Sequence, residues 1–424
     1  MTSLLDGESR TDQPARALRC RNCGAQFPLI AIHACAECFG PLEVGYDDAV
    51  LAAVTREKIE AGPQNLWRYA PLLPVGQDAA RRITLNPGLT PLVRADRLAE
   101  AIGIRAPLWV KDDSANPTHS FKDRVVSLAL TAAGMLGFKE VACASTGNLA
   151  NSVAAHAARN GLAATVFIPA DLEQQKVVTT AVYGVRLVAV DGSYDDVNRL
   201  TSELQEADEF ENTAFVNQNV RPYYAEGSKT LGYEVVEQLG WRLPAQVVVP
   251  IASGSLLTKI DKAFKELTAI GLVDESPWRV FGAQSAGCSP VQVAFAAGQD
   301  VIQPVRPTGI AKSLNIGNPA DGPYVLDAVR RSGGSIAAAD DDEIREGIQL
   351  LARTTGIFGE TAGGVTVAVL RKLVASGELD PDAETVIFNT GEGLKTLDAV
   401  AGRVGPTHRI KPSLRGAREA GLLS

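Results

Sequence analysis

Asn116-Pro117-Thr118-His119-Ser120-Phe121-Lys122-Asp123-Arg124 is the stretch on which the fold turns. Residues 107–111 before it are an apolar run that reads as a buried strand, and an apolar helical segment begins at Val125. Strand, lysine-bearing turn and helix together make the start of an α/β unit, with Lys122 near a helix N-terminus. The positive end of the helix dipole favours the neutral form of an amine there, which suits Schiff-base chemistry. Most lysines are solvated surface charges, so the rest of the chain must supply the context.

Outward from this stretch the same pattern recurs for nearly the whole chain. Short apolar runs at residues 141–144, 164–169, 186–190, 214–216, 246–251, 280–283 and 385–389 alternate with amphipathic helical segments. Strands apolar on both faces and joined by helical crossovers predict mostly parallel sheets covered by helices on both sides. So many units exceed one compact core, which predicts an α/β protein of two lobes with a site in the cleft between them. Residues 49–61 read as one helix, followed by a Pro-containing linker over 67–74. The basic segment 405–424 reads as a terminal extension.

The 424 residues are 46% hydrophobic with a formal charge of −8 and no basic stripe, which argues against a nucleic-acid partner. The first fifteen residues are polar and no window is long and apolar enough for a bilayer, so a cytoplasmic protein without a membrane partner is expected. Four of the six cysteines fall in two C-x2-C pairs, Cys20/Cys23 and Cys35/Cys38. Two such knuckles bring four thiolates around one zinc ion, predicting a zinc-ribbon-like module within residues 1–48. A closed four-thiolate site leaves no position for water, so the metal would be structural. His33, between the pairs, reads as a bystander, and Cys143 and Cys288 as buried inert thiols.

Three further strand-to-helix turns join the opening one. Ser145-Thr146-Gly147-Asn148 follows one strand, and its small residues and amides suit a carboxylate or phosphate. Ala252-Ser253-Gly254-Ser255-Leu256 follows another and makes an anion cradle from consecutive backbone N–H groups, without the spacing of a nucleotide P-loop. Thr390-Gly391-Glu392-Gly393-Leu394-Lys395 is the last. Ordinary capping accounts for each turn alone; Glu360-Thr361-Ala362-Gly363-Gly364, ahead of an apolar helix, is a candidate lining of the ligand pocket that a simple helix cap explains equally well.

Taken together, Asn116 to Arg124, Ser145 to Asn148 and Thr390 to Lys395 resemble the threonine synthases, within the tryptophan synthase β-like family of fold type II pyridoxal phosphate enzymes. The likeness runs from about Gly88 to Gly402, and some members carry a cysteine-knuckle N-terminus. It implies that Lys122 is the Schiff-base lysine and the base that moves protons at Cα and Cβ. Asn148 would bond the ring's phenolic oxygen, Ala252, Ser253, Gly254, Ser255 and Leu256 would cradle the phosphate, and Thr390 would meet the ring nitrogen. Lys111, Ser120, Ser145 and Thr146 become candidates for holding the substrate. The implied reaction turns O-phospho-L-homoserine and water into L-threonine and phosphate, by γ-elimination and then addition of water at Cβ.

The implied division is a large cofactor lobe over 49–122 and 220–424 and a small substrate-side lobe over 123–219. A homodimer would be unsurprising. Two positions depart from the family: His119 stands where glycine is common, and Ala252-Ser253-Gly254-Ser255 lacks the Gly-Asn-x-Gly-Asn pattern. These leave the substrate open to a cysteate synthase-like or a threonine/serine dehydratase-like lyase, and a non-catalytic pyridoxal phosphate-binding protein is a further alternative.

Overall fold

The computed structural model describes Leu4 and residues 14–75, 78–145 and 147–422. The N-terminal module is a three-stranded antiparallel sheet of β1 (Ala15–Cys20), β2 (Gln26–Phe27) and β3 (Leu42–Tyr46), in the order β2-β1-β3. Cys20 lies 3.4 Å from Cys38, Cys23 lies 3.7 Å from Cys35, and Cys38 lies 3.5 Å from Cys23, all sulfur to sulfur. The backbone N–H groups of Asn22 and Glu37 point back at Cys20 and Cys35 Sγ at 3.4 Å. The cluster fits a zinc-ribbon-like module.

The chain then forms two short helices, Asp48–Ala52 and Arg56–Glu60, where one was expected. Thr55 accepts from the Lys58 N–H and so restarts the helix as a cap. β4 (Leu92–Arg94) and β5 (Leu108–Asp112) begin the larger sheet. A smaller parallel sheet follows, of β6 (Glu140–Ala144), β7 (Ala163–Pro169), β8 (Arg186–Val190) and β9 (Thr213–Phe215), ordered β8-β7-β6-β9. β10 (Gln246–Pro250), β11 (Arg279–Ser285), β12 (Ile336–Ala339) and β13 (Thr385–Asn389) complete the larger sheet as β12-β11-β10-β13-β5-β4. Only β4 runs antiparallel to its neighbour in that sheet.

β10, Gln-Val-Val-Val-Pro, is buried along its whole length, as expected for a central parallel strand covered on both faces. One apolar core runs without a break from Leu18, Leu42 and Val44 of the ribbon through Val125 and Leu128 to Val247 and Val249 of the larger sheet. The ribbon is therefore packed into the body rather than tethered to it. No helix among the described residues is long and apolar enough to cross a membrane. The terminal segment carries one short helix, Leu414–Glu419, and is otherwise exposed from 401 to 415.

Candidate active site

The cleft between the two sheets is lined by the first residues of four helices, Lys122–Met135, Asn148–Asn160, Ser255–Ala269 and Thr361–Ala375. None is capped by the side chain of its own N-cap residue, although Ser145 reaches the Ala150 N–H of the second helix. Each helix start carries backbone N–H groups that lack partners within the helix, so the cleft collects donors and positive dipole ends.

The start at Ser255 is kept bare by Gly254. Its φ is +98°, and a Cβ there would fall 2.6 Å from Val325 Cγ2 and 3.1 Å from Asp321 Cβ. Only glycine lets the backbone turn so tightly against that wall. Ala252, Ser253, Ser255 and Leu256 line the cleft beside it. The donor set, a bare helix start facing an amine, suits a ligand that carries a phosphate and a carbonyl.

Lys122 donates to Tyr224 Oη at 2.9 Å, with its ammonium 4.6 Å from the centre of the Phe121 ring. Burial lowers its pKa to about 8, and the Glu360 carboxylate works against that shift. Asn148 Nδ2 donates to both carboxylate oxygens of Glu360, at 2.9 and 3.0 Å, while its Oδ1 accepts from Lys395 Nζ at 3.1 Å. Burial brings Lys395 to about 8 as well, opposed by Glu360 and Asp123. Thr390 is buried at the cleft wall, and its carbonyl accepts from the Phe121 N–H at 3.0 Å. Ser145 lines the cleft too and turns its hydroxyl to the N–H groups of Gly147 and Ala150, at 3.0 and 2.8 Å.

Two substrate candidates are not brought to the cleft, and a third lies outside the described residues. Lys111 is fully buried beneath the site, donating to Glu234, Thr90 O and Gln238 at 2.7, 2.7 and 2.9 Å. Arg124 completes that cluster through paired bonds to Asp113 and Glu234. Burial acts to raise the Glu234 pKa, but Arg124 and Lys111 overcome it and hold the group at about 2. As the strand partner of Leu92 and Phe388, Lys111 points its side chain into the core. Ser120 is fully buried where the backbone bridges to Gly391, and its hydroxyl has no partner among the described residues. Thr146 is the residue that the structure does not describe.

Sequence reasoning missed Arg221 and Tyr224, which line the cleft from the helix Arg221–Gly227, and left Glu360 open between a cofactor pocket and a simple cap; it lines the cleft. Nothing marks an arginine after Asn217-Gln218-Asn219-Val220 as different from a surface charge. His119, where glycine was expected, has a φ of +59°, so the position needs the left-handed backbone that glycine adopts freely.

A two-lobed α/β body with a lysine of lowered pKa among converging helix starts defines a cofactor-binding enzyme class. A family model described as pyridoxal-phosphate dependent enzyme matches residues 83–391. The threonine synthase of Methanocaldococcus jannaschii is 38% identical over 384 residues, 90% of this chain and 93% of that protein. That of Methanosarcina acetivorans is 36% identical over 386 residues, again 90% and 93%. In structure the chain is similar to maize serine racemase, with a TM-score of 0.58 and 22% identity over 71% of this chain and 88% of that one, a likeness of fold alone. The chain belongs to the pyridoxal-phosphate dependent enzymes and, within them, to the threonine synthase group.

Proposed function

We propose that the protein converts O-phospho-L-homoserine and water to L-threonine and phosphate. The observation that carries this reading is that the cleft offers two separate places for an anion. One is the bare start of the Ser255–Ala269 helix; the other is the Arg221 guanidinium, which with Lys122 supplies the basic side chains of the lining. The cofactor's phosphate needs one of them. An amino acid carrying its own phosphate uses the second, where Arg221, already held by Asp321 at 2.6 Å, offers its remaining donors to a dianion.

Lys122 would hold pyridoxal phosphate, with Ala252, Ser253, Gly254, Ser255 and Leu256 at its phosphate, Asn148 at its phenolic oxygen and Thr390 at its ring nitrogen. Bound there, the cofactor supplies an electron sink that loosens the bonds at substrate Cα. Lys122, with its pKa lowered to about 8 by burial, is suited to take and return protons at Cα and Cβ near neutral pH. Arg221 and the Ser145 turn orient the leaving phosphate, and the apolar wall at Leu256 and Ala362 keeps bulk water from the reacting carbons.

We also assign a structural zinc ion to Cys20, Cys23, Cys35 and Cys38. Three of their sulfur separations, 3.4 to 3.7 Å, are near the edge of about 3.8 Å that a tetrahedron with 2.3 Å zinc–sulfur bonds requires, and all four sulfurs lie within 4.8 Å of one another. Residues 49–122 and 220–424 are assigned to the cofactor lobe and 123–219 to the substrate-side lobe. We place the protein in the cytoplasm.

The test is to incubate the purified protein with O-phosphohomoserine, phosphoserine and threonine, and to measure phosphate, threonine and keto acids. Threonine and phosphate in equal amounts from the first substrate are expected. Oxobutyrate or pyruvate without threonine would sink the reading.

A further inference from the structure

The first cysteine knuckle reaches the wall of the cleft. Arg21, next to Cys20, stacks its guanidinium 3.5 Å from the centre of the Tyr324 ring and lies 3.6 Å from Asp321 Oδ1. Asn22 accepts a hydrogen bond from the Tyr324 hydroxyl. Asp321 gives its other oxygen to Arg221, which donates to it at 2.6 Å. One buried carboxylate thus stands between a guanidinium on the ribbon and a guanidinium in the cleft.

Asp321 occupies the N-cap of the helix Gly322–Arg331, yet its side chain makes no capping bond there. Aspartate is among the best caps, so the carboxylate has been given up to the two arginines. Its backbone N–H meanwhile donates to Ser253 O at 2.9 Å, in the anion cradle itself. A second tie runs parallel to the first. Glu43 on β3 lies 4.0 Å from Arg21 and reaches Lys259 and Lys262, at 3.2 and 3.5 Å, on the helix that begins at Ser255.

Two guanidiniums around one carboxylate leave one positive charge. While Arg21 shares Asp321, Arg221 keeps charge for an incoming anion. Without Arg21, the whole Asp321 charge falls on Arg221 and weakens its pull on an incoming anion.

We propose that Asp321 is a positioning residue for Arg221, and that Arg21 on the ribbon sets how strongly Arg221 attracts an anion in the cleft. This rests on the reading of Arg221 as the cation that meets the substrate phosphate. The ribbon then acts on substrate affinity through a side-chain relay, in addition to holding its own module together.

The experiment uses the full chain loaded with pyridoxal phosphate, with steady-state kinetics on O-phosphohomoserine and calorimetric titration of inorganic phosphate. Arg21→Gln is expected to raise both the KM and the phosphate Kd about three- to fivefold, the size of one partly exposed charge interaction, with kcat within about twofold. Arg21→Lys should restore most of the affinity. In an Arg221→Ala background the Arg21→Gln change should add nothing. Unchanged KM and phosphate Kd in Arg21→Gln would overturn the relay, as would the same rise in the Arg221→Ala background. Wild-type phosphate affinity in Arg221→Ala alone would overturn the reading of Arg221, and the relay with it.

Discussion

The side-chain amide of Asn148 is clamped across the cleft, its nitrogen donating to both carboxylate oxygens of Glu360 and its oxygen accepting from Lys395. A carboxylate only accepts and an ammonium only donates, so the pair fixes which way the amide points. Asn148 therefore approaches a ligand with its orientation already set. Glu360→Ala removes the acceptor and leaves a buried amide N–H unpaired, at about 1–3 kcal/mol. We expect a lower melting temperature together with a fall in kcat/KM of about tenfold or more. Scanning fluorimetry and steady-state assays check this; a variant unchanged in both would show that the clamp has no function.

With Lys122 as the proposed cofactor lysine, loading should depend on pH. Its ammonium has a pKa of about 8 where an ordinary lysine stands at 10.5, because burial penalises the charged form. Only the neutral amine attacks a carbonyl, so the loading rate of the cofactor-free protein should rise about tenfold per unit from pH 6.5 toward 8 and then level off. Stopped-flow absorbance would follow this. A rate that keeps climbing to pH 10 would mean an unperturbed lysine, and Lys122→Ala should abolish both the absorbance band and turnover.

Lys111 should matter for stability and not for substrate. It shares Glu234 with Arg124 at zero exposure. Lys111→Met breaks a buried pair, which costs about 3 kcal/mol or more. Denaturant melts should show that loss while the KM stays at the wild-type value. A raised KM with unchanged stability would return Lys111 to the substrate site.

His119→Gly is expected to be nearly neutral. Relief of left-handed strain, about 1–2 kcal/mol, is offset by the roughly 0.5–1 kcal/mol entropy cost of glycine. Thermal melts and activity within about 20% of wild type would agree with that balance; a large loss of turnover would reveal a role for the imidazole.

Cys20→Ser should lower zinc content and melting temperature while leaving the cofactor absorbance band in place. The continuous core from Leu18 to Val249 makes the loss of stability larger than an appended module would give. Loss of the band itself would mean that the ribbon holds the cofactor lobe in shape.

The alternation of apolar strands and amphipathic helices was enough to read most of the two sheets. β12 escaped because Ile336-Ala-Ala-Ala339 carries a single β-branched residue and looks like helix, and β4 because three residues hold no period. Residues 49–61 looked like one helix because their apolar spacing continues through Thr55, whose capping bond depends on backbone geometry. At the site, Lys122, Asn148, Ser253 and Thr390 were legible because each sits in a small-residue turn between a strand and a helix. Arg221 and Asp321 were not, and Glu360 stayed divided between pocket and cap, since no local pattern separates a charge in a cleft from a charge in water.

By itself, then, the chain around Lys122 determined the α/β class, the small-residue turns that line the cleft and the cysteine cluster, because these depend on local spacing and on which residues backbone turns tolerate. Only the tertiary structure decided which charges meet. It buried Lys111 away from the cleft, paired Asn148 with Glu360 over 212 positions of sequence and joined Arg21 to Arg221 through Asp321. Electrostatic partnership is a matter of distance and burial in space, and sequence separation carries neither.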